Sequence, residues 1–317
     1  MSLDQSSTFN GYLCHKEINR YLADLEQNYP SKIKKFSSAY SYEGREIRTV
    51  RISTNVKQKR TKFYILIDAG IHAREWITIS VALYVVHQLV ERDAINSRLL
   101  RNFDWIILPL LNPDGYEYSR EYNKMWRKTR RPLGRDRCVG VDCNRNFNIS
   151  WGIGTPKYCS LVYRGERPFS EQETRNVRDI FRMLRPNCKF YLSLHSHAKA
   201  ILYPRAYSST LPQNWKHQDE VAQAGADAIV AACGVKYRCG SASAFLDNAV
   251  GGSSIDYAHD IEKVPFALVM EIASKCFHPP TEDIARICRE SWIGIQAMVR
   301  QLAISPRISF TRSKTAI

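Results

Sequence analysis

Four residues have the chemistry to form a metal site with an adjacent base. His72 and Glu75 are three residues apart, so one turn of chain can direct both side chains at one point. His195 offers a second imidazole and Glu271 a second carboxylate. Two His and one Glu suit Zn²⁺ and leave a fourth position for water, whose proton the extra carboxylate can take. The plainer interpretations are a surface His–Glu pair, structural histidines and a salt-bridged glutamate.

Each cluster follows a short apolar segment that we predict to be a buried strand. The segments are Phe63–Ile67, Phe190–Leu194 before His195, and Phe266–Met270 before Glu271. Apolar runs of this kind are typical of strands that are covered on both faces. Ligands of open α/β sheets bind at the carboxyl ends of the strands, so parallel pairing would bring the four residues to one edge.

The remaining patterns alternate between strand and helix. Glu46–Ser53 and Trp105–Leu111 are further predicted strands, and Asn112–Gly115 is a predicted turn. Helical periodicity predicts helices over Cys14–Asn28, Trp76–Arg92, Glu171–Leu184, Gln218–Ala232 and Thr281–Leu302. We therefore expect an α/β fold with a mixed, mostly parallel twisted sheet and helices on both faces.

Composition and charge limit the class of protein. The chain has 317 residues, 44% hydrophobic and 24% charged, which excludes a disordered or collagen-like protein. Without repeats or a linker, we expect one domain over 9–304 with polar tails at 1–8 and 305–317. The net charge of +15 favours a polyanionic partner such as a sulfated polysaccharide. We expect no nucleic-acid partner, because no such motif is present, and no membrane span, because the apolar stretches are too short.

A separate basic group can bind a carboxylate. Arg127 lies in a basic stretch, and Asn144 and Arg145 follow Asp142. A guanidinium can bind a carboxylate through two parallel hydrogen bonds, and an Asn amide adds another. The alternative for these residues is a solvated basic loop.

Taken in order, the motifs resemble the carboxypeptidase A/B family of zinc metallocarboxypeptidases. The matching segments cover about residues 9–303, nearly the whole chain, so the resemblance is highly specific. They are Ser41–Arg45, Gly70–Trp76, Asn112–Ser119, Met125–Arg130, Val139 with Asp142–Asn146, Leu194–Ser196, Gly252–Asp256 and Glu271.

The resemblance implies an eight-stranded mixed sheet and hydrolysis of the C-terminal peptide bond. It implies one Zn²⁺ per chain held by His72, Glu75 and His195, because two His and one Glu are the known ligands of carboxypeptidase A and these positions match its motifs. Arg127 is implied to stabilise the oxyanion, and Glu271 to act as general base and then general acid.

The resemblance also implies how a peptide C-terminus is bound. Asn144 and Arg145, assisted by Arg74, are implied to bind the terminal carboxylate, and Cys138 and Cys159 to form a disulfide. Nine cysteines favour export. We therefore expect a secreted protein whose signal and prosegment are absent from this chain, whereas the alternative is a cytosolic protein.

Two substrate-binding positions depart from the family pattern. Eight residues before Asp256, where the family usually has a mobile Tyr, the sequence has Asn248, and His197 stands where a Tyr is usual. An Asn is shorter than Tyr and covers less of a bound substrate. These departures leave open a catalytically impaired homologue that binds peptide C-termini without cutting them.

The residue before Asp256 predicts the substrate preference. In the family an acidic residue there attracts Lys or Arg, whereas an apolar one suits Phe, Leu or Ile; here it is Ile255. Val250 and Val269 align with the same pocket. We therefore predict an A-type preference for apolar or aromatic C-terminal residues. The alternative is a B-type preference for Lys or Arg, if the Asp247 carboxylate turns inward.

Overall fold

The fold is described from a computed structural model that covers residues 9–58, 62–134, 137–273 and 276–305. Its strands are β1 (Ile33–Tyr40), β2 (Glu46–Ile52), β3 (Phe63–Asp68), β4 (Phe103–Leu108), β5 (Cys188–Ser196), β6 (Ala200–Tyr203), β7 (Arg238–Ser241) and β8 (Phe266–Ile272). Its α-helices are α1 (His15–Asn28), α2 (Trp76–Val90), α3 (Asp93–Asn102), α4 (Pro113–Glu121), α5 (Gln172–Leu184), α6 (Trp215–Cys233), the single turn α7 (Ser254–Asp256) and α8 (Thr281–Ile304).

The eight strands form one mixed sheet in the order β1-β2-β4-β3-β5-β8-β6-β7. The central strands β4, β3, β5 and β8 run parallel, and β6 pairs in parallel with β7. β1, β2 and the β6–β8 pair add antiparallel ladders. The predicted mixed α/β sheet is confirmed, and the three strands predicted to carry the site lie side by side at its centre.

Helices cover the sheet on both faces, each over its own apolar layer. α2, α6 and α8 pack together over one face with the inward side chains of β3, β5 and β8. α5 covers the other face with Val177, Ile180, Phe181 and Leu184. All but one residue of α2 are buried, which explains why its sequence is apolar on every side.

Two of the sequence predictions need correction near the site. β4 ends at Leu108 instead of Leu111, because Pro109 has no amide hydrogen for the ladder. The turn expected at Asn112–Gly115 is the start of α4. The Asn112 side chain accepts a hydrogen bond from the Gly115 amide at 3.0 Å, and Pro113 occupies the first helical position.

One disulfide bond is present in the described part of the chain. Cys138 and Cys159 form a disulfide, as the resemblance implies, and it encloses the segment that carries Asn144 and Arg145. Cys14, Cys143, Cys188, Cys233, Cys239 and Cys276 are free thiols. Of the expected tails, residues 1–8 and 306–317 lie outside the described residues. Within the described part of the chain, no helix combines the length and apolar character needed to cross a membrane.

Candidate active site

The first two candidate metal ligands lie on the short connection between β3 and α2. Gly70 turns the chain there with φ +64, and a Cβ at this position would lie 2.9 Å from the side chain of Leu110. The Glu75 amide donates to the His72 carbonyl at 3.1 Å, and α2 begins immediately afterwards. This turn directs the side chains of His72 and Glu75 toward β5, where His195 lies in the strand next to its end.

These three side chains converge in a buried cluster. Their candidate ligand atoms all lie within 4.8 Å of one another. The Glu75 carboxylate lies 2.8 Å from Nδ1 of His72 and 3.1 Å from Nδ1 of His195, and the two Nδ1 atoms are 3.2 Å apart. Burial alone would raise the pKa of Glu75, but the two imidazoles lower it below its usual range. Two ring nitrogens facing one ionised carboxylate match the donor set of a catalytic zinc ion.

Asp142 connects the metal cluster to the cationic residues. Its Oδ1 lies 3.2 Å from Nε2 of His72. Its Oδ2 accepts a hydrogen bond from Nε of Arg127 at 3.0 Å and lies 2.9 Å from Nη2 of the same side chain, which forms an ion pair with it. Burial opposes ionisation of Asp142, but Arg127, Arg145 and His72 hold its pKa well below the usual range. The sequence alone indicates no role for Asp142, because its partner His72 is distant along the chain.

Glu271 stands beside the cluster. In the parallel β5–β8 ladder it is the register partner of His195, and its carboxyl group lines the same cavity. Burial raises the pKa of Glu271 to about 7; the neighbouring Glu75 adds to the rise, whereas His195 and Arg127 oppose it.

Asn144 and Arg145 approach the cavity from a short helical turn after Asp142. The Asn144 side chain accepts from the Ser254 amide at 2.9 Å. Gly252 has φ +75, and a Cβ there would lie 2.1 Å from the backbone oxygen of Arg145. Only glycine allows this approach, which packs the turn against the segment that leads into α7, where Ile255 lies.

A wall of the cavity is built from Arg74, His197 and Phe277. The Arg74 guanidinium lies 4.2 Å from the centre of the Phe277 ring. The centres of the His197 and Phe277 rings are 4.5 Å apart. The Arg74 Nε is buried without a hydrogen-bond partner among the described residues. Arg74 and His197, two of the predicted substrate-binding residues, therefore line the same cavity as the metal cluster.

The cavity has a volume of about 360 Å³, and most of its apolar lining residues pack together in one cluster of the core, which we call its apolar end. That end is lined by Leu202, Ala206, Ala242, Leu246, Val250, Ile255 and Val269. Asp247 and Asn248 are exposed and are not among the lining residues. The structure therefore does not bring Asn248 to the site, and its substrate-binding role stays a prediction. Leu246, to which the sequence assigns no role, lines the cavity instead.

Comparison with known proteins places this geometry in a family. Residues 18–294 match the zinc carboxypeptidase family of peptidases, M14. Carboxypeptidase B of Helicoverpa zea is 38% identical over 92% of this chain and 71% of its own length. Carboxypeptidase A2 of Rattus norvegicus is 32% identical over 94% and 72%. The structure of carboxypeptidase A from Helicoverpa armigera superposes with a TM-score of 0.90, at 31% identity, over 96% of this chain and 78% of that one.

The chain belongs to the zinc carboxypeptidase family. It is a metallocarboxypeptidase, an exopeptidase that removes residues from peptide C-termini and uses one catalytic Zn²⁺. The predicted fold, enzyme class and cofactor are confirmed. The similar proteins include both A-type and B-type enzymes, so the relatives leave the substrate preference open.

Proposed function

We propose that the enzyme is an A-type carboxypeptidase that removes apolar or aromatic C-terminal residues. The observation that carries this proposal is the apolar end of the cavity, which is lined by Ile255, Val250, Val269 and Leu246. Among the described lining residues, the only carboxylates are Glu75 and Glu271, and both belong to the metal end.

Energetics favour an apolar side chain in this pocket. Transferring apolar surface from water is favourable by about 25 cal/mol per Å². An ammonium or guanidinium group placed against Ile255 would lose its hydration without gaining a counter-charge, at a cost of several kcal/mol. The same pocket therefore attracts Phe or Leu and rejects Lys or Arg.

The position of Leu246 argues against the B-type alternative. Its neighbour Phe245 packs tightly on Gly240 and lies under the Arg238 guanidinium, 4.6 Å from the ring centre. The Val250 amide donates to the Ala206 carbonyl at 3.0 Å and fixes the far end of the loop. In this anchored loop Leu246 lines the cavity, although it is 38% exposed, whereas the exposed Asp247 lies outside the lining and offers the pocket no counter-charge.

We assign the binding of the substrate's terminal carboxylate to Asn144 and Arg145, with Arg74 assisting. Arg145 lies 3.9 Å from Asp142, and the described residues provide no carboxylate partner for Arg74. A carboxylate bound at a fixed distance from the metal cluster selects the last peptide bond, which accounts for exopeptidase activity. The terminal side chain then enters the apolar end.

We assign the metal to His72, Glu75 and His195, and the proton transfers to Glu271. When bound, the ion supplies Lewis-acid chemistry that acidifies water and polarises a carbonyl group. Glu271 takes a proton from the attacking water and later delivers it to the departing amine. Arg127, oriented by its ion pair with Asp142, donates to the oxygen on which charge develops, a contribution of roughly 3–4 kcal/mol for such donors.

Hydrolysis of blocked dipeptides tests the proposed preference. Zinc-loaded enzyme is assayed with C-terminal Phe, Leu, Lys, Arg and Glu, and kcat/KM is expected to be highest for Phe and Leu. A higher kcat/KM for Lys or Arg would overturn the A-type assignment. No release of amino acid from any substrate, with peptide binding retained, would favour the impaired homologue instead.

We also propose that the enzyme acts outside the cell and docks on sulfated polysaccharide. The Cys138–Cys159 disulfide supports an oxidising compartment, and the net charge of +15 supports a polyanionic partner. The affinity for a polyanion falls steeply as the salt concentration rises. Retention on heparin should therefore exceed retention on a plain cation exchanger and fall with salt; equal retention on both would contradict the docking proposal.

A further inference from the structure

We propose that Asp68 and Ser193 are positioning residues for the metal site. The Asp68 carboxylate orients the Ser193 hydroxyl, and that hydroxyl fixes the ring of His195 so that its Nδ1 atom faces the ion. This inference rests on the proposed ligand role of His195.

A continuous hydrogen-bonded chain connects these residues beneath the metal cluster. Asp68 is the last residue of β3, and Ser193 lies on the neighbouring strand β5 as its register partner. The Ser193 hydroxyl donates to Oδ1 of Asp68 at 2.7 Å. The Oγ atom of Ser193 also lies 3.1 Å from Nε2 of His195. Tyr191 donates to Oδ2 of Asp68 at 2.5 Å. Asp68 and Ser193 are fully buried.

The numbers of donors and acceptors fix the direction of this chain. An ionised carboxylate only accepts hydrogen bonds, so both hydroxyl groups must donate to Asp68. The Ser193 hydroxyl group has a single hydrogen, which it donates to Asp68. Its oxygen can therefore only accept a hydrogen bond from any other partner. The contact with His195 is then a bond from Nε2–H, which leaves the Nδ1 lone pair free.

The Nδ1 atom of His195 faces the other two proposed metal ligands. It lies 3.1 Å from Glu75 and 3.2 Å from Nδ1 of His72. His72 has the same arrangement, with Nδ1 in the cluster and Nε2 at 3.2 Å from Asp142. The two imidazoles are thus each backed by a carboxylate, directly for His72 and through a hydroxyl group for His195.

The two hydrogen bonds donated to Asp68 favour its ionised form, against the effect of burial. Burial raises the pKa of Asp68, and the hydrogen bonds from Tyr191 and Ser193 oppose the rise. No Lys or Arg pairs with this carboxylate in the described part of the chain. Partners behind a metal-ligating histidine typically change metal affinity by 10–100-fold.

Zinc affinity of the full-length enzyme tests the inference. Apoprotein of wild type, Ser193→Ala and Ser193→Thr competes with a chromogenic chelator for zinc, and thermal stability is recorded with and without zinc. We expect Ser193→Ala to weaken zinc binding by about 10–100-fold, with little change in apoprotein stability. Ser193→Thr keeps the hydroxyl and should restore affinity.

Two further variants keep the test decisive if threonine does not fit. Asp68→Asn preserves shape but presents an N–H donor, which allows Ser193 to donate to Nε2 and moves the His195 hydrogen to Nδ1; zinc binding should weaken again. Ser291→Ala is the matched control, because Ser291 is fully buried and its hydroxyl has no hydrogen-bond partner among the described residues. Its zinc affinity should equal that of wild type.

The outcomes separate this inference from the assignment of the metal ligands. Zinc affinity of Ser193→Ala and Asp68→Asn within threefold of wild type would overturn the positioning role. Equal losses of apoprotein stability and zinc affinity, without rescue by threonine, would make the role structural and also overturn it. Retention of zinc by His72→Ala, measured in parallel, would instead overturn the ligand set.

Discussion

Glu271→Ala should reduce turnover by at least ~10³, the order of magnitude of a general-base contribution. The carboxyl group of Glu271 lines the cavity beside His195 and lies outside the metal cluster. Its removal deprives the attacking water of a proton acceptor and the departing amine of a proton donor. The measurement is kcat for a blocked dipeptide with C-terminal Phe.

The zinc content and the affinity for a competitive inhibitor provide the controls for this prediction. Both should stay close to wild type, because the proposed ligands and the carboxylate-binding residues are intact. Glu271→Gln, which keeps the shape but cannot accept the proton, should lose as much activity as the alanine variant. Turnover within tenfold of wild type for either variant would remove Glu271 from the mechanism.

Ile255→Asp should convert the preference from apolar to basic C-terminal residues. The new carboxylate would lie at the buried end of the cavity, where Ile255 is now 2% exposed. It would give Arg or Lys the counter-charge that the pocket lacks. An apolar side chain of the substrate would lose the apolar contact that Ile255 now provides. We expect kcat/KM for C-terminal Arg to rise by at least ~10², equivalent to about 2.7 kcal/mol, while that for Phe falls.

Asp247→Asn is the matched variant for this prediction. Asp247 is exposed and outside the cavity lining, so its neutralisation should leave the ratio of kcat/KM for Phe and Arg unchanged. If wild type cleaves C-terminal Arg and Asp247→Asn loses that activity, Asp247 is the determinant and the assignment to Ile255 fails.

The central strands could be predicted from sequence because burial on both faces makes them continuous apolar runs. The predicted ends of β3, β5 and β8 each lie within two residues of the observed ends. Their parallel pairing follows from the α/β alternation. The short strands β6 and β7 have four residues each, too few for a periodic pattern, and they depend on pairing with β8 and with each other.

The candidate site was predictable where its residues follow those strands and unpredictable where they act through distant partners. Asp142 contacts His72 across 70 positions, and Ser193 contacts Asp68 across 125. No local pattern encodes such pairs. The place of Leu246 in the cavity lining likewise depends on how Phe245 packs against Gly240, a tertiary contact that spacing from Asp256 does not reveal.

The zinc content of His195→Ala tests the central assignment most directly. Wild type and variant are purified in parallel, dialysed against metal-free buffer and analysed for zinc per chain, with circular dichroism as the check on folding. We expect one zinc ion per wild-type chain and loss of most zinc from the variant, because only Glu75 and one imidazole would remain. A folded His195→Ala protein that retains one zinc ion per chain would contradict it.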